Sequence, residues 1–208
     1  MSDLTIQQLA EAYQDYFSVE HSISINVQPV DGPLPDQQAL LSAIPAPFML
    51  ATDVNSLNSS ALRSLNRLGE LADELANYLQ QQARKIDLLL HYVLRQQDDA
   101  SSRFSTLSFG GSGCSYIASA PLQPLQVVEV KLFLDNNDGA LYCLGQVLEV
   151  IEHQRSESQP GYLVKILFRR IRDEDRDMVV RASLHEQSRQ LKRKAELRQQ
   201  QAQQTQQQ

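Results

Sequence analysis

A chain of 208 residues, 42% apolar and 21% charged, can fold around one substantial core plus an accessory element, or around two small cores. Its formal net charge of −6 argues against a general nucleic-acid binder. No apolar run approaches the ~20 residues of a membrane helix. The opening MSDLTIQQLAEAYQDYF lacks a basic start followed by an apolar block, so no membrane partner is expected and the expected compartment is the cytoplasm.

Residues 1–57 read as a mixed lead-in. LTIQQLAEAYQDYF has the spacing of a short amphipathic helix. HSISINVQPV alternates Ile23, Ile25 and Val27, the pattern of a strand with one buried face. DGPLP is a turn, DQQALLSAI a short helix, and IPAPF a break. The sequence leaves open whether this segment packs on a helix or on a sheet.

Residues 58–97 read as one long helix, with Asn58, Ser59 and Ser60 as candidate N-caps. Leu65, Leu68, Ala72, Leu75, Leu79, Gln82, Ile86, Leu89 and Val93 follow steps of three and four throughout. Such a repeat favours a left-handed coiled coil and predicts a homo-oligomer, dimer or tetramer, joined through this helix. Gln82 stands where a polar side chain fixes register or oligomer number. Leu71 and Tyr78 widen the stripe on one side, and Ala76, Ala83 and Leu90 on the other. This extra surface must meet either the chain's own sheet or further helices.

The period then changes to two. GCSYIAS, VVEVKLFL, LYCLGQVLEVIEH and GYLVKILFRR read as strands. Val128, Val130, Leu132 and Leu134 share one face, as do Tyr162, Val164, Ile166 and Phe168. DNNDG (135–139) is a tight turn, and HQRSESQPG a looser polar connection. Ahead of these strands, FSTLSFGGSGCSYI is either a loop that cradles a phosphate or a sharp turn between two strands. Cys114 and Cys143 lie inside strands, outside any metal-ligand spacing, and read as reduced, buried small hydrophobes. A final helix starts at the acidic Asp173, Glu174 and Asp175 and continues to Lys192, Arg193 and Lys194, charges matched to the helix dipole. The closing QQQAQQTQQQ is low in complexity and is expected to fray. Residues 98–208 therefore form an antiparallel barrel or sandwich with a C-terminal helix, and the chain is of the α+β class.

The stretch SFGGSGCSY, the Gly-x-Val of LYCLGQVLEV and the segment FRRIRDEDRDMVVRASLHEQSRQLKRK resemble, in that order, the PilZ domain family. The resemblance covers roughly residues 103–198. It implies a six-stranded barrel with a C-terminal helix, and cyclic di-GMP as a regulatory ligand. It also implies a role in motility, pili or biofilm. Family binders use an Arg-x-x-x-Arg segment ahead of the barrel and an Asp/Asn-x-Ser-x-x-Gly loop. The first maps onto Arg63 and Arg67, which a spacing of four places on one helix face. The second maps onto Thr106, Ser108 and Gly111 in one register, or onto Ser108, Gly110 and Gly113 in the other. Both registers lack the Asp or Asn that accepts from a guanine edge. Arg169, Arg170 and Arg172 form a second candidate anion contact.

No enzyme is expected. His21, His91, His153 and His185 are scattered, and no nucleophile elbow, Walker loop, cofactor motif or metal-ligand spacing occurs. Two readings remain: a cyclic di-GMP receptor or effector acting through protein contacts, or an oligomeric PilZ-like scaffold that no longer binds the nucleotide.

Overall fold

The computed structural model describes residues 6–51, 70–135, 139–156 and 159–205. In chain order the elements are α1 (Ile6–Gln14), β1 (Ser18–Glu20), β2 (Ser24–Pro29), α2 (Gln37–Ala43), α3 (Glu70–Arg95), β3 (Arg103–Gly110), β4 (Gly113–Ala118), β5 (Val127–Phe133), β6 (Ala140–Ser156), β7 (Gln159–Arg170) and α4 (Asp173–Thr205). Residues 46–51 form a further helical stretch.

Every strand pairing is antiparallel. The order is β3-β2-β5-β6-β7-β4, and β4 returns to pair with β3, so six strands close a barrel. Closure leaves the sheet with no free edge along those strands. β1 pairs with the far half of β3, Ser18 opposite Gly110, while β2 pairs with the near half, Ser24 opposite Ser105. β1 and β2 are thus two halves of one bent strand. The lead-in segment builds the barrel wall itself, and β2 sits between β3 and β5.

Alternation in the strands explains the core. Ile25, Val128, Val130, Leu132, Leu141, Cys143, Val147, Val164 and Ile166 turn inward and are fully buried, with Phe168 beside them. Ile171, just ahead of α4, and Met178, Val179 and Ala182 within it join this core. β6 is apolar on both faces. Its Leu141 and Cys143 point inward, while Ala140, Tyr142 and Leu144 face a second cluster. That cluster holds Leu40, Ile44, Phe48, Ala51 and Leu94, so α2, residues 46–51 and the end of α3 cover the outside of the barrel there.

The local signals behave as their chemistry requires. Asp36 caps α2, its side chain accepting from the Ala39 N–H at 2.8 Å. In the 135–139 turn, Gly139 has a φ of 95° and its carbonyl accepts from the Leu134 N–H at 2.9 Å. Two expectations are revised. β6 and β7 extend into the polar connection, pairing as far as Ser156 opposite Gln159. The glutamine-rich end continues α4 to Thr205, in keeping with the good helix propensity of Gln and Ala.

Candidate functional site

The glycine-rich stretch is a tight hairpin. Gly110 ends β3, Gly113 begins β4 opposite it, and Gly111 and Ser112 make the turn. None of the three glycines has a positive φ; they are required for space. A Cβ on Gly110 would lie 2.2 Å from the Phe17 carbonyl oxygen, and one on Gly113 would lie 2.0 Å from that of Ile166. A Cβ on Gly111 would meet Val180 at 2.7 Å and the Tyr16 ring at 2.8 Å. The chain following α1 and the first turns of α4 therefore close over the turn. Polar contacts fasten that cover. The Tyr16 N–H donates to Ser112 Oγ at 3.1 Å, and Arg176 Nη1 donates to the Gly111 carbonyl at 2.6 Å. The Arg176 guanidinium also stands 5.3 Å from the centroid of the Tyr16 ring.

The hydroxyls of this region are engaged as well. Thr106 is buried at the bend between β1 and β2. Its Oγ1 accepts from the Ile23 N–H at 2.9 Å and donates to the His21 carbonyl at 2.7 Å. Thr106 thereby satisfies two backbone groups at that bend, while on its other side β3 slips register against β4 between Thr106 and Ser108. Ser108 Oγ lies 2.7 Å from Ser115 Oγ and is also hydrogen-bonded to the Tyr13 phenol, whose pKa burial raises above its usual range. So the structure brings Thr106, Ser108, Gly110, Gly111 and Gly113 together, but with their surfaces turned to the chain's own α1, α4 and β4.

Arg63 and Arg67 lie outside the described residues, as do Leu65 and Leu68. In chain order the two arginines follow β1 and β2, and residues 1–23 contain no arginine. The other arginine cluster is occupied. Arg172 donates from Nε and Nη2 to the two oxygens of the fully buried Asp175, both at 2.8 Å. Arg170 donates to the Pro35 carbonyl at 3.1 Å, and Arg169 to Gln146 Oε1 at 2.5 Å.

α3 presents the other candidate surface. Leu90 and Leu94 turn toward the second cluster. Leu75, Leu79, Ile86 and Leu89 of the heptad seam are exposed, with Leu89 at 69%, and Gln82 is half-buried. Tyr78, Leu88, Tyr92 and Val93 are exposed too. So large an uncovered apolar face is unusual for a monomer.

Both cysteines are buried free thiols, and burial pushes Cys114 up to about 12, which leaves it unreactive. Among the described residues, no cluster of three His, Cys, Asp or Glu is placed to hold a metal, and no helix is long and apolar enough to cross a membrane.

No family model and no curated protein matches the chain. Solved structures of PilZ proteins do match it. A tetrameric PilZ domain protein of Xanthomonas campestris, described as self-assembled via an unusual helical bundle, is 18% identical, with 88% of this chain and 97% of that one covered at a TM-score of 0.54. The inhibitor of motility MotI (DgrA) of Bacillus subtilis is 7% identical, with 85% of this chain and 52% of that one covered at 0.45. The PilZ domain of YcgR from Escherichia coli, solved with cyclic di-GMP, is 13% identical, with 47% and 82% covered at 0.37. Of these three, only the Xanthomonas protein exceeds a TM-score of 0.5. A closed six-stranded antiparallel barrel, a helix led by Asp173 to Asp175 and a Gly-rich hairpin in the order seen in sequence identify the fold of this chain as that of a PilZ domain.

Proposed function

We propose that this chain is a non-enzymatic, cytoplasmic PilZ-type regulatory scaffold, in which α3 gathers copies into a tetramer and the barrels present surfaces to a protein partner. The reading is carried by the width of the uncovered face of α3. At about 100° per residue, Leu75, Leu79, Ile86, Leu89 and Val93 centre on one direction, and Leu88 and Tyr92 lie roughly 120° round from it. One partner helix covers a single seam. Two seams need two helix neighbours, which a dimer does not provide and a four-helix bundle does. The Xanthomonas protein of the same fold is described as a tetramer built through a helical bundle, which supports this geometry. In this reading residues 58–97 form the assembly arm, and the half of the chain from residue 98 joins β1 and β2 to make the barrel.

The same proposal assigns no cyclic di-GMP to the Gly-rich hairpin. A guanine edge needs an acceptor and room for close backbone approach. Here the Asp or Asn is missing, the serine and threonine hydroxyls have intramolecular partners, and Phe17, Tyr16 and Val180 occupy the glycine surfaces.

Sedimentation velocity on the full chain tests the assembly. The wild type should run as a tetramer, and Leu75→Asp with Ile86→Asp should release monomers; a monomeric wild type refutes it. Titration calorimetry tests the second part. No heat at millimolar cyclic di-GMP is expected. Binding tighter than roughly 10 μM (about −7 kcal/mol) restores the receptor reading.

A further inference from the structure

The last turn of α3 reaches the sheet beside the start of β3, and a cleft of about 620 Å³ lies between them. That size falls within the range of small-molecule sites. Leu94, Phe133 and Ala140 give it an apolar floor, and His91, Arg95 and Arg103 stand round it with Asp98 and Asp135. It is remote from the Gly-rich hairpin: Arg103 and Gly110 are the two ends of β3, about 23 Å apart at strand rise.

The two acids are already matched. Asp98 accepts from Arg103 Nε at 2.9 Å and from Asn26 Nδ2 at 2.9 Å. Asp135 is paired with His21 Nε2 at 2.9 Å. The donors are not matched. Among the described residues Arg103 engages only its Nε, and both terminal nitrogens of its guanidinium remain. Arg95 and His91 have no hydrogen-bond or ion-pair partner among the described residues, and the buried Ser24 Oγ has none either. The carbonyls at the end of α3 add no competing acceptor, because Val93, Leu94 and Arg95 accept from the Gln96, Gln97 and Asp98 N–H groups. Arg95 and Arg103 are solvent-exposed, so their free N–H groups face water, and an anion bridging the two guanidiniums takes the place of that water.

We propose that this cleft binds a small molecule with an anionic head, a phosphate monoester or a carboxylate, and a compact apolar body. The head sits between Arg95 and the open edge of Arg103. The body lies on Leu94 and Phe133.

Calorimetry on the full chain with phenyl phosphate, phenylacetate and benzyl alcohol tests this. At least one of the two anions should bind saturably, while the uncharged alcohol should not. The stronger of the two identifies the head group. Arg95→Ala should weaken that anion at least fivefold without changing the fold or sedimentation, since Arg95 bonds to nothing among the described residues. Arg103→Lys keeps the charge paired with Asp98 but loses the fork, and should weaken it similarly. No binding of either anion at 10 mM, equal binding of the alcohol, or unchanged affinity in both variants overturns the proposal.

Discussion

Asn26 is the side chain whose loss should most reveal how the helical arm is fastened to the barrel. It lies in the middle of β2, between the inward Ile25 and Val27, where alternation would point it at solvent. It is instead only 2% exposed, because the Asp98–Asp99 turn folds over it. Its Nδ2 donates to Asp98 Oδ1 at 2.9 Å and to the Asp99 carbonyl at 3.0 Å, and its Oδ1 accepts from the Asp99 N–H at 2.9 Å. Asn26→Ala removes all three. Two neutral bonds at about 1 kcal/mol each and one to a carboxylate at about 2 kcal/mol, less what water restores to the half-exposed Asp98 and Asp99, give a loss of about 3 kcal/mol. Asn26→Asp keeps the shape but turns a donor into an acceptor facing Asp98. It should be at least as damaging at pH 7, and should recover toward acid as one of the facing carboxylates takes a proton. Urea unfolding followed by circular dichroism, at fixed protein concentration because the proposed assembly would couple stability to concentration, measures both. A loss below 1 kcal/mol for Asn26→Ala, or a pH-independent Asn26→Asp, would refute the reasoning.

Gly113→Ala would place a Cβ 2.0 Å from a backbone oxygen that cannot swing away, so strands β4 and β7 must part, and a loss of about 1–3 kcal/mol in the same unfolding assay is expected. Gly32→Ser meets nothing within 4 Å but is strained by its positive φ, and should lose about 1 kcal/mol for that backbone reason alone. Asp87 on α3 has a buried Oδ1 without a partner, and desolvation raises its pKa above the ordinary carboxylate value. A raised acid pKa penalises the folded state once pH exceeds the unfolded value, so Asp87→Asn should raise Tm at pH 7, with the gain vanishing as pH falls through the carboxylate range. A gain that persists at acid pH would show that the charge is not the cause.

The later strands were legible because both of their faces follow simple rules. Val128, Val130 and Leu132 alternate with Glu129 and Lys131, and the structure buries the first three fully and the other two only in part. β3 was harder to read as a strand. Its alternation changes phase at the slip between Thr106 and Ser108, leaving Leu107 exposed and Phe109 buried. On α3 the structure shows a helix with Leu75, Leu79, Ile86 and Leu89 exposed, and the coiled-coil packing read from their spacing is a proposal. The hairpin glycines were legible as important but not as to why: a motif read as ligand-contacting is crowded by Tyr16, Phe17 and Val180, which lie far away in sequence. The cleft was invisible for the same reason. His91, Arg103, Ser24 and Phe133 come from four elements, and no spacing rule joins them.

β2 and β3 are hydrogen-bonded neighbours, Asn26 opposite Arg103, although residues 30–102 intervene. The chain leaves the barrel and re-enters it within roughly one strand spacing of about 4.8 Å. The arm is in effect spliced into a hairpin, and a short loop could replace it if Tyr142 and Leu144 were made polar. Such a junction has a mechanical corollary. Tension on the arm would enter the barrel at the open end of the β2–β3 ladder, with β5 and β4 holding the outer edges of those two strands, so the Asn26–Asp98–Arg103 knot is the first stitch to take the load.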